Sequence, residues 1–164
     1  KNAKGAANRK KKFTLKQGAD LAQDKAPFIE KKAFAFTATI APAEDGSPDG
    51  VIIAQGGTAH GFAVYVQGGK LHFATRHDGK LTIVSAESPA PSQSYQLEGG
   101  LTADGVAALS VNGKKVASGK TPGTLTTMPI DGLQIGRDAN GAVGDYREPF
   151  AYSGKINLEL KIAR

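Results

Sequence analysis

Three side chains near the middle of the chain have chemistry and spacing suited to holding a sugar or a sulfate group. Tyr65 and His72 lie on either side of Gly68-Gly69, and Arg76 follows His72 by four residues. A two-residue turn at the glycines would place Tyr65 directly opposite His72, with Arg76 on the same face. A sugar ring can lie on tyrosine, while arginine matches the oxygens of a sulfate. We therefore predict Tyr65, His72 and Arg76 as a ligand site.

Two other interpretations of these three residues stay open. They are polar side chains on the outer face of a half-buried sheet, where such residues are expected without any ligand. Alternatively, the face they occupy packs against another domain.

A second candidate site is the glycine-rich stretch between two aspartates. Asp138 and Asp145 flank the sequence ANGAVG, so that two carboxylates and several backbone carbonyls could form an oxygen cage for calcium. An ordinary loop explains the same residues. The acidic segment 41–50 lacks the spacing of a helix-loop-helix calcium site. Calcium is thus the one candidate ion, and no cofactor or other metal is predicted.

The residues that commonly carry catalysis are absent or isolated. The chain has no cysteine, and its three histidines lie in no nucleophile or metal-binding motif. Glycoside hydrolysis needs two carboxylates about 5 to 9 Å apart, whereas Glu159 is the only acid in a strongly predicted strand. We predict no catalytic residue and no enzyme activity for this chain.

Residues 61–86 carry the clearest structural signal and would position the candidate ligand site. Apolar and polar residues alternate there with the period of a β-strand, and Gly68-Gly69 suits a two-residue hairpin turn. That turn pairs Val64 with Phe73. The pattern predicts a three-stranded antiparallel meander with one apolar face, which needs a second sheet to cover it.

The second turn of the meander contains Asp78-Gly79 and allows two registers. A two-residue loop would place Leu81 and Ile83 on the polar face. A three-residue loop with a glycine bulge instead pairs Ile83 with Phe73 and Leu81 with Thr75, which keeps the apolar face continuous. We therefore predict the three-residue loop.

Other segments indicate many more short strands. Residues 33–40 and 154–162 alternate regularly, and Asn112-Gly113 is a strong hairpin signal that places Leu109 opposite Val116. No segment has helical periodicity. The sequence predicts an all-β fold, a two-sheet antiparallel jelly-roll sandwich.

Charge is concentrated at the start of the 164-residue chain. The formal net charge is +6, and the first sixteen residues contain seven lysines and arginines and no acid. Residues 1–12 are predicted to be a basic linker or disordered tail, and residues 13–164 one sandwich domain. A polyanion-binding arm is the alternative for the tail, but no aromatic residue is interleaved to stack on bases. We predict neither specific nucleic-acid binding nor, since no long apolar run occurs, membrane insertion.

Five short motifs follow one another along the chain, namely 50–57 (GVIIAQGG), 61–66 (GFAVYV), 109–117 (LSVNGKKVA), 135–138 (IGRD) and 149–156 (PFAYSGKI). Their order resembles that of the concanavalin A-like, laminin-G-like β-sandwich found at the C-terminal side of bacterial arylsulfatases. The similarity covers roughly residues 13–162.

The resemblance implies a non-catalytic accessory module of a periplasmic or secreted bacterial sulfatase. Such a module would dock on, or orient, an N-terminal catalytic domain absent from this chain. Sulfatases carry a C/S-x-P-x-R motif, which this sequence lacks, so sulfatase activity is not carried over. The alternative is a carbohydrate-binding module for a sulfated or acidic polysaccharide. A docking module should expose an apolar patch, whereas a glycan site should be a groove lined with aromatic and hydrogen-bonding groups.

Overall fold

The computed structural model describes residues 9–90 and 92–164, in which the chain forms β-strands and no helix. None of these residues therefore forms a helix that could cross a bilayer. The first eight residues of the predicted basic tail lie outside the described part. The strands are β1 (Lys12–Lys16), β2 (Asp20–Leu21), β3 (Phe34–Ile40), β4 (Gly50–Gly56), β5 (Gly61–Gln67), β6 (Lys70–His77), β7 (Lys80–Glu87), β8 (Tyr95–Leu101), β9 (Val106–Val111), β10 (Lys114–Lys120), β11 (Leu133–Ile135) and β12 (Ile156–Ile162).

The strands form two six-stranded antiparallel sheets. The first sheet has the order β1-β12-β3-β8-β9-β10, and the second has the order β2-β11-β4-β5-β6-β7. Non-consecutive strands are neighbours in both sheets, as expected where the chain crosses between two layers. The predicted all-β, two-sheet antiparallel sandwich is confirmed.

The main core lies between the two sheets and follows from the alternation of each strand. In β3 and β12, every second residue is buried, as the sequence predicted. Phe34 of the first sheet lies against Phe62 of the second, with ring centroids 4.4 Å apart, and Phe62 is 6.1 Å from Phe73. Aromatic pairs at these distances add to the free energy gained by burying their area.

The meander of β5, β6 and β7 forms as predicted, but its second turn differs. In the first hairpin, Val64 pairs with Phe73 and Tyr65 with His72, which confirms the predicted register. The second loop has two residues, with positive φ angles at Asp78 (51°) and Gly79 (81°). The prediction that paired Ile83 with Phe73 and Leu81 with Thr75 is wrong: the observed pairs are Ala74–Ile83 and Arg76–Leu81.

The Asn112-Gly113 hairpin has the predicted turn but not the predicted pairing beyond it. Both turn residues have positive φ angles, of 50° and 85°. A bulge between Lys115 and Ala117 then places Ala117, and not Val116, opposite Leu109. The predicted Leu109–Val116 pair is therefore wrong, because the bulge removes Val116 from the ladder.

Residues 138–150, which we name the covering segment, lie across the outer face of the second sheet. Val143 in this segment packs into a small apolar cluster with Val51, Ala63 and Tyr65. A parallel bridge between Val51 and Ala151 attaches the end of the segment to β4. Every residue of β4 is buried, as expected for a strand with packed layers on both sides. The covering segment thus supplies a third layer over the middle of the second sheet.

A buried carboxyl group holds the covering segment together. Asp138 Oδ2 accepts hydrogen bonds from the backbone N–H of Val143, at 3.0 Å, and from the hydroxyl of Tyr146. Burial raises the pKa of Asp138, although these hydrogen bonds oppose the rise. Tyr146 also stacks on Phe150, with ring centroids 5.3 Å apart. Polar and aromatic contacts therefore fix the same segment.

Replacing Tyr146 with phenylalanine should destabilise the protein and raise the pKa of Asp138 further. The change removes a donor to the ionised carboxylate, which we expect to lower the free energy of unfolding by about 1 to 3 kcal/mol. Denaturant unfolding and an NMR titration of the Asp138 carboxyl measure the two effects. Tyr95→Phe, on β8 of the other sheet, is the matched control.

The direction of the Asp138 pKa shift fixes how its contribution to folding stability changes with pH. Because the folded pKa of Asp138 is raised, its contribution to stability is fully present below the unfolded pKa and is lost as the pH rises through the folded pKa. Tyr146→Phe should move that loss to higher pH. An Asp138 pKa that falls or stays constant in the variant would contradict this account.

Gly99 should tolerate no side chain, since a Cβ atom there would lie 2.6 Å from the ring of Phe36 and 3.2 Å from Leu109. We expect Gly99→Ala to lower the unfolding free energy by about 1 to 3 kcal/mol through overpacking. Combining it with Phe36→Leu should cost less than the sum of the two single changes. If chemical denaturation shows that the two losses of unfolding free energy are additive, the contact with the Phe36 ring is not what excludes a side chain at Gly99.

Candidate functional site

The structure brings together the three residues predicted as a ligand site, but beneath the covering segment. Tyr65 and His72 are cross-strand partners with ring centroids 5.0 Å apart, and Arg76 lies further along the same face. Tyr65 is only 1% exposed. The ring of Tyr146 meets it edge-on at 4.7 Å, and the backbone N–H of Asp145 donates to its hydroxyl at 3.3 Å. The Tyr65 ring therefore has no face open to a sugar in this arrangement.

His72 and Arg76 also make contacts within the protein. Arg76 donates from Nε to the carbonyl of Val143 at 2.7 Å and from Nη1 to that of Gly79 at 2.9 Å. The His72 ring nitrogens lie 2.6 Å from Ser85 Oγ and 3.2 Å from the carbonyl oxygen of Gln67. Burial raises the pKa of the Tyr65 hydroxyl, which keeps it protonated. The hydrogen bonds of Arg76 with Val143 and of Tyr65 with Asp145 attach the covering segment to the sheet. Ligand binding by Tyr65, His72 and Arg76 stays a prediction.

The two aspartates predicted as possible calcium ligands lie in different surroundings. Asp138 is buried, with its carboxylate in the hydrogen bonds described above, whereas Asp145 is exposed. Across residues 9–90 and 92–164, no group of three or more histidine or acidic side chains is placed to hold a metal ion. A calcium site here would need other ligands, such as backbone carbonyls or water.

The outer face of the first sheet, which we name the open face, has no covering segment and is lined by polar side chains. These residues alternate with the buried core residues of the same strands. Their cross-strand registers place them in rows that run across the sheet. One row contains Thr14, Glu159, Thr37, Glu98 and Ser110, and the next contains Lys16, Asn157, Thr39 and Gln96.

Two open grooves lie on this sheet. The first has a volume of about 540 Å³ and small residues along its floor, among them Ala35, Gly100 and Ala108. The second, of about 550 Å³, is lined by the polar side chains of Thr37, Asn157 and Glu159 together with apolar groups such as those of Leu15 and Leu158. Small side chains let a ligand approach the backbone, and hydroxyl and amide groups can exchange hydrogen bonds with it.

Two carboxylates lie in one row of the open face, on either side of Thr37. Glu159 and Glu98 are on strands that both pair with β3, so about 10 Å separates their backbones. Glu159 forms ion pairs with Lys12, at 3.2 Å, and with Lys161, at 3.9 Å. Glu98 was not predicted as a site residue because β8 contains Gly99 and Gly100, which weaken a strand pattern. The alternation of Gln96 and Glu98 with buried Leu97 was the available signal.

A separate cleft of about 500 Å³ opens at one end of the sandwich. Its lining includes His60, Met128, Ile130 and Asp131. Ile130 is 84% exposed. Among the described residues, the other large apolar side chains that are exposed are Ile83 and Val116, each at 38% and each on a different edge strand. Large exposed apolar side chains are therefore few and scattered among the described residues, and the apolar lining of the first groove consists mainly of small residues.

Comparison with solved structures finds several proteins with this fold. The laminin α1 chain domains LG4-5 of mouse match with a TM-score of 0.65 and 16% identity, covering 89% of this chain and 39% of that one. The CBM40 of the Ruminococcus gnavus IT-sialidase, bound to α2,3-sialyllactose, matches with a TM-score of 0.63 and 13% identity, covering 93% of this chain and 89% of that one. A leech intramolecular trans-sialidase matches with a TM-score of 0.64 and 13% identity, covering 93% of this chain and 25% of that one.

These likenesses concern the fold, and the chain spans about two fifths of the laminin fragment and a quarter of the leech enzyme. A search of curated protein sequences finds no match. A family model of the laminin-G type, described as the concanavalin A-like lectin/glucanases superfamily, matches residues 15–155. Because this model matches most of its length, the chain belongs to the concanavalin A-like lectin/glucanase superfamily.

Proposed function

We propose that this chain is a non-catalytic carbohydrate-binding module and that the open face of the first sheet binds the glycan. The observation that carries the proposal is the difference between the two outer faces. The covering segment buries Tyr65 on the second sheet, whereas the first sheet has open grooves of about 540 and 550 Å³. Grooves of this size, lined mainly by apolar groups with a few polar ones, lie within the range of ligand sites.

The side chains of the open face match the hydrogen-bonding groups of a sugar. Carboxylates such as Glu98 accept hydrogen bonds from hydroxyl groups, and amides such as Gln96 and Asn157 both donate and accept. Gln96, Glu98 and Asn157 are exposed, so their polar atoms are accessible to a ligand. The solved CBM40 structure with sialyllactose shows that a protein of this fold can hold a glycan, which supports the proposal at the level of the fold.

The arylsulfatase parent, an N-terminal catalytic partner and a periplasmic or secreted bacterial location stay predictions from the order of the motifs. One observation favours docking on another domain, namely the 84% exposure of Ile130 beside Met128 in the end cleft. A docking interface normally needs a broader apolar area than one such side chain provides. Glycan binding is therefore the function that the described surface supports better.

Removing two exposed side chains from the open face should abolish or strongly weaken glycan binding. We expect Gln96→Ala combined with Glu98→Ala to lower the affinity for neutral polysaccharides at least tenfold, because several hydrogen bonds to sugar hydroxyl groups are lost together. The measurement is calorimetric titration with a panel of neutral and acidic polysaccharides.

Ser85→Ala combined with Glu87→Ala is the matched control, because both residues are exposed on β7 of the second sheet. The control should bind as the unmodified chain does. Equal losses in both double variants, or binding that survives the β8 changes, would overturn the assignment of the site. Binding of no polysaccharide by the unmodified chain would overturn the proposed function itself.

A further inference from the structure

We infer that the open face selects acidic polysaccharides through a cationic strip formed by residues 9–16 and β12, an inference that rests on the proposed glycan-binding function. These two segments contain six lysines and arginines and one acid, a net charge of +5. Apart from Lys1 and Lys4, which lie outside the described part, the remaining chain carries a formal charge of −1. Positive charge is thus concentrated along one edge of the first sheet, where it can attract a polyanion.

The first residues of the strip are held against the sandwich. The guanidinium of Arg9 lies 3.7 Å from the centroid of the Phe28 ring. Lys11 Nζ donates to the carbonyl of Ala163 at 3.3 Å, and the N–H of Ile162 donates to the carbonyl of Lys11 at 2.9 Å. Residues 9–12, which belong to the segment predicted as a basic linker or disordered tail, make these contacts with the domain. Their charges therefore have defined positions relative to the open face.

The middle of the strip places two accessible ammonium groups beside a groove. Lys12 and Lys161 are cross-strand partners whose side chains are 61% and 67% exposed. Glu159 lies between them and forms an ion pair with each, at 3.2 and 3.9 Å. One carboxylate cannot neutralise both, so a net positive charge faces the groove to which Lys161 contributes. Lys16 continues the strip about 13 Å further along the same face of β1.

The surroundings of the strip favour an acidic sugar chain over a nucleic acid. Single-stranded nucleic acids are usually held by aromatic rings on which the bases stack. The nearby aromatic rings are unavailable for this role, since Phe28 lies under Arg9 and Phe13 is buried in the core. The strip is instead continuous with the hydroxyl and amide groups of the open face, such as Thr37 and Asn157. Lysines can bind sulfate or carboxylate groups while those neighbours bind sugar hydroxyls.

Lysines on an edge strand have another common role, since they discourage pairing with the edge of a second molecule. That role explains Lys12 and Lys16 on β1. It does not require Lys161, which lies on the interior strand β12, nor the stacking of Arg9 on Phe28. Edge protection therefore leaves Lys161 and Arg9 unexplained. These two residues extend the strip across and beyond β1.

The test compares sulfated and unsulfated forms of the same polysaccharides on the full chain at moderate salt. The probes are dextran sulfate with dextran, and κ-carrageenan with agarose oligosaccharides. The strip variant combines Lys12→Gln, Lys16→Gln and Lys161→Gln. The control removes the same charge elsewhere, by Lys70→Gln, Lys80→Gln and Lys114→Gln. We expect the strip variant to bind a sulfated probe about tenfold more weakly and the control to change less than twofold.

The salt dependence gives a second readout. Each lysine that contacts the polyanion should contribute roughly one ion to the slope of log affinity against log salt, so the strip variant should lose about two to three units of slope. Equal weakening in the two triple variants would overturn the inference, because it would mean nonspecific attraction. Tighter binding to a single-stranded DNA oligonucleotide, weakened by the same three changes, would overturn it in favour of a nucleic acid.

The two proposals fail in different ways. Binding of the unsulfated probes with no preference for the sulfated ones, lost in the Gln96 and Glu98 double variant, would retain the glycan site and overturn the acidic selectivity. Sulfated probes that bind to neither the full chain nor its variants would also overturn the selectivity. An absence of binding to every polysaccharide in the neutral and acidic panel would overturn the glycan-binding function as well.

Discussion

The fold depends on one constraint, which is that the middle of the second sheet is apolar on both faces. Every residue of β4 is buried, and β5 buries all but its last residue. A sheet of this kind needs a packed layer on each side, because unpaired apolar area in water costs about 25 cal/mol per Å². The first sheet supplies one layer and the covering segment supplies the other. The two outer faces of the sandwich consequently differ, since only the second sheet has the covering segment on its outer side.

The covering segment satisfies this constraint with irregular backbone and a buried acid. A carboxylate out of water is unfavourable unless it is hydrogen-bonded, and Asp138 receives donors from Val143 and Tyr146. Arg76 binds the segment from the sheet below through the carbonyl of Val143. Tyr65 then fills the space between the sheet and Tyr146. The face that carries Tyr65 has thereby become an internal layer, and the open face of the first sheet remains the accessible one.

Much of the fold could be predicted because it follows from local patterns. Period-two alternation located β3 and β12, and glycine turns fixed the pairing of Val64 with Phe73. The register after Asp78 was missed because the prediction treated the outer face as polar. Leu81 is partly buried there against the apolar cluster beneath the covering segment. Similarly, no local sequence pattern indicated the bulge that displaces Val116.

The candidate site was harder to predict because it depends on which face is covered. Tyr146 and Phe150 have no periodic spacing, so the covering segment resembled an ordinary polar loop. The uninterrupted apolar run of β4 was the one indication that this sheet needed a second layer. Tyr65, His72 and Arg76 were correctly placed together on one face. Their burial under residues 138–150 could not be predicted from spacing alone, and it leaves Thr37 and Glu98 on the more accessible of the two outer faces.

The most direct test of the central claim is to map amide chemical shifts of the isotopically labelled chain during titration with a sulfated oligosaccharide. If the open face binds the oligosaccharide, we expect saturable shifts centred on β12, β3 and β8, around Glu159, Thr37 and Glu98. The covering segment should then show little change. Shifts centred instead on Tyr65 and Arg76, together with residues 138–150, would contradict it. They would show that the covering segment moves to admit a ligand and that the second sheet is the binding face.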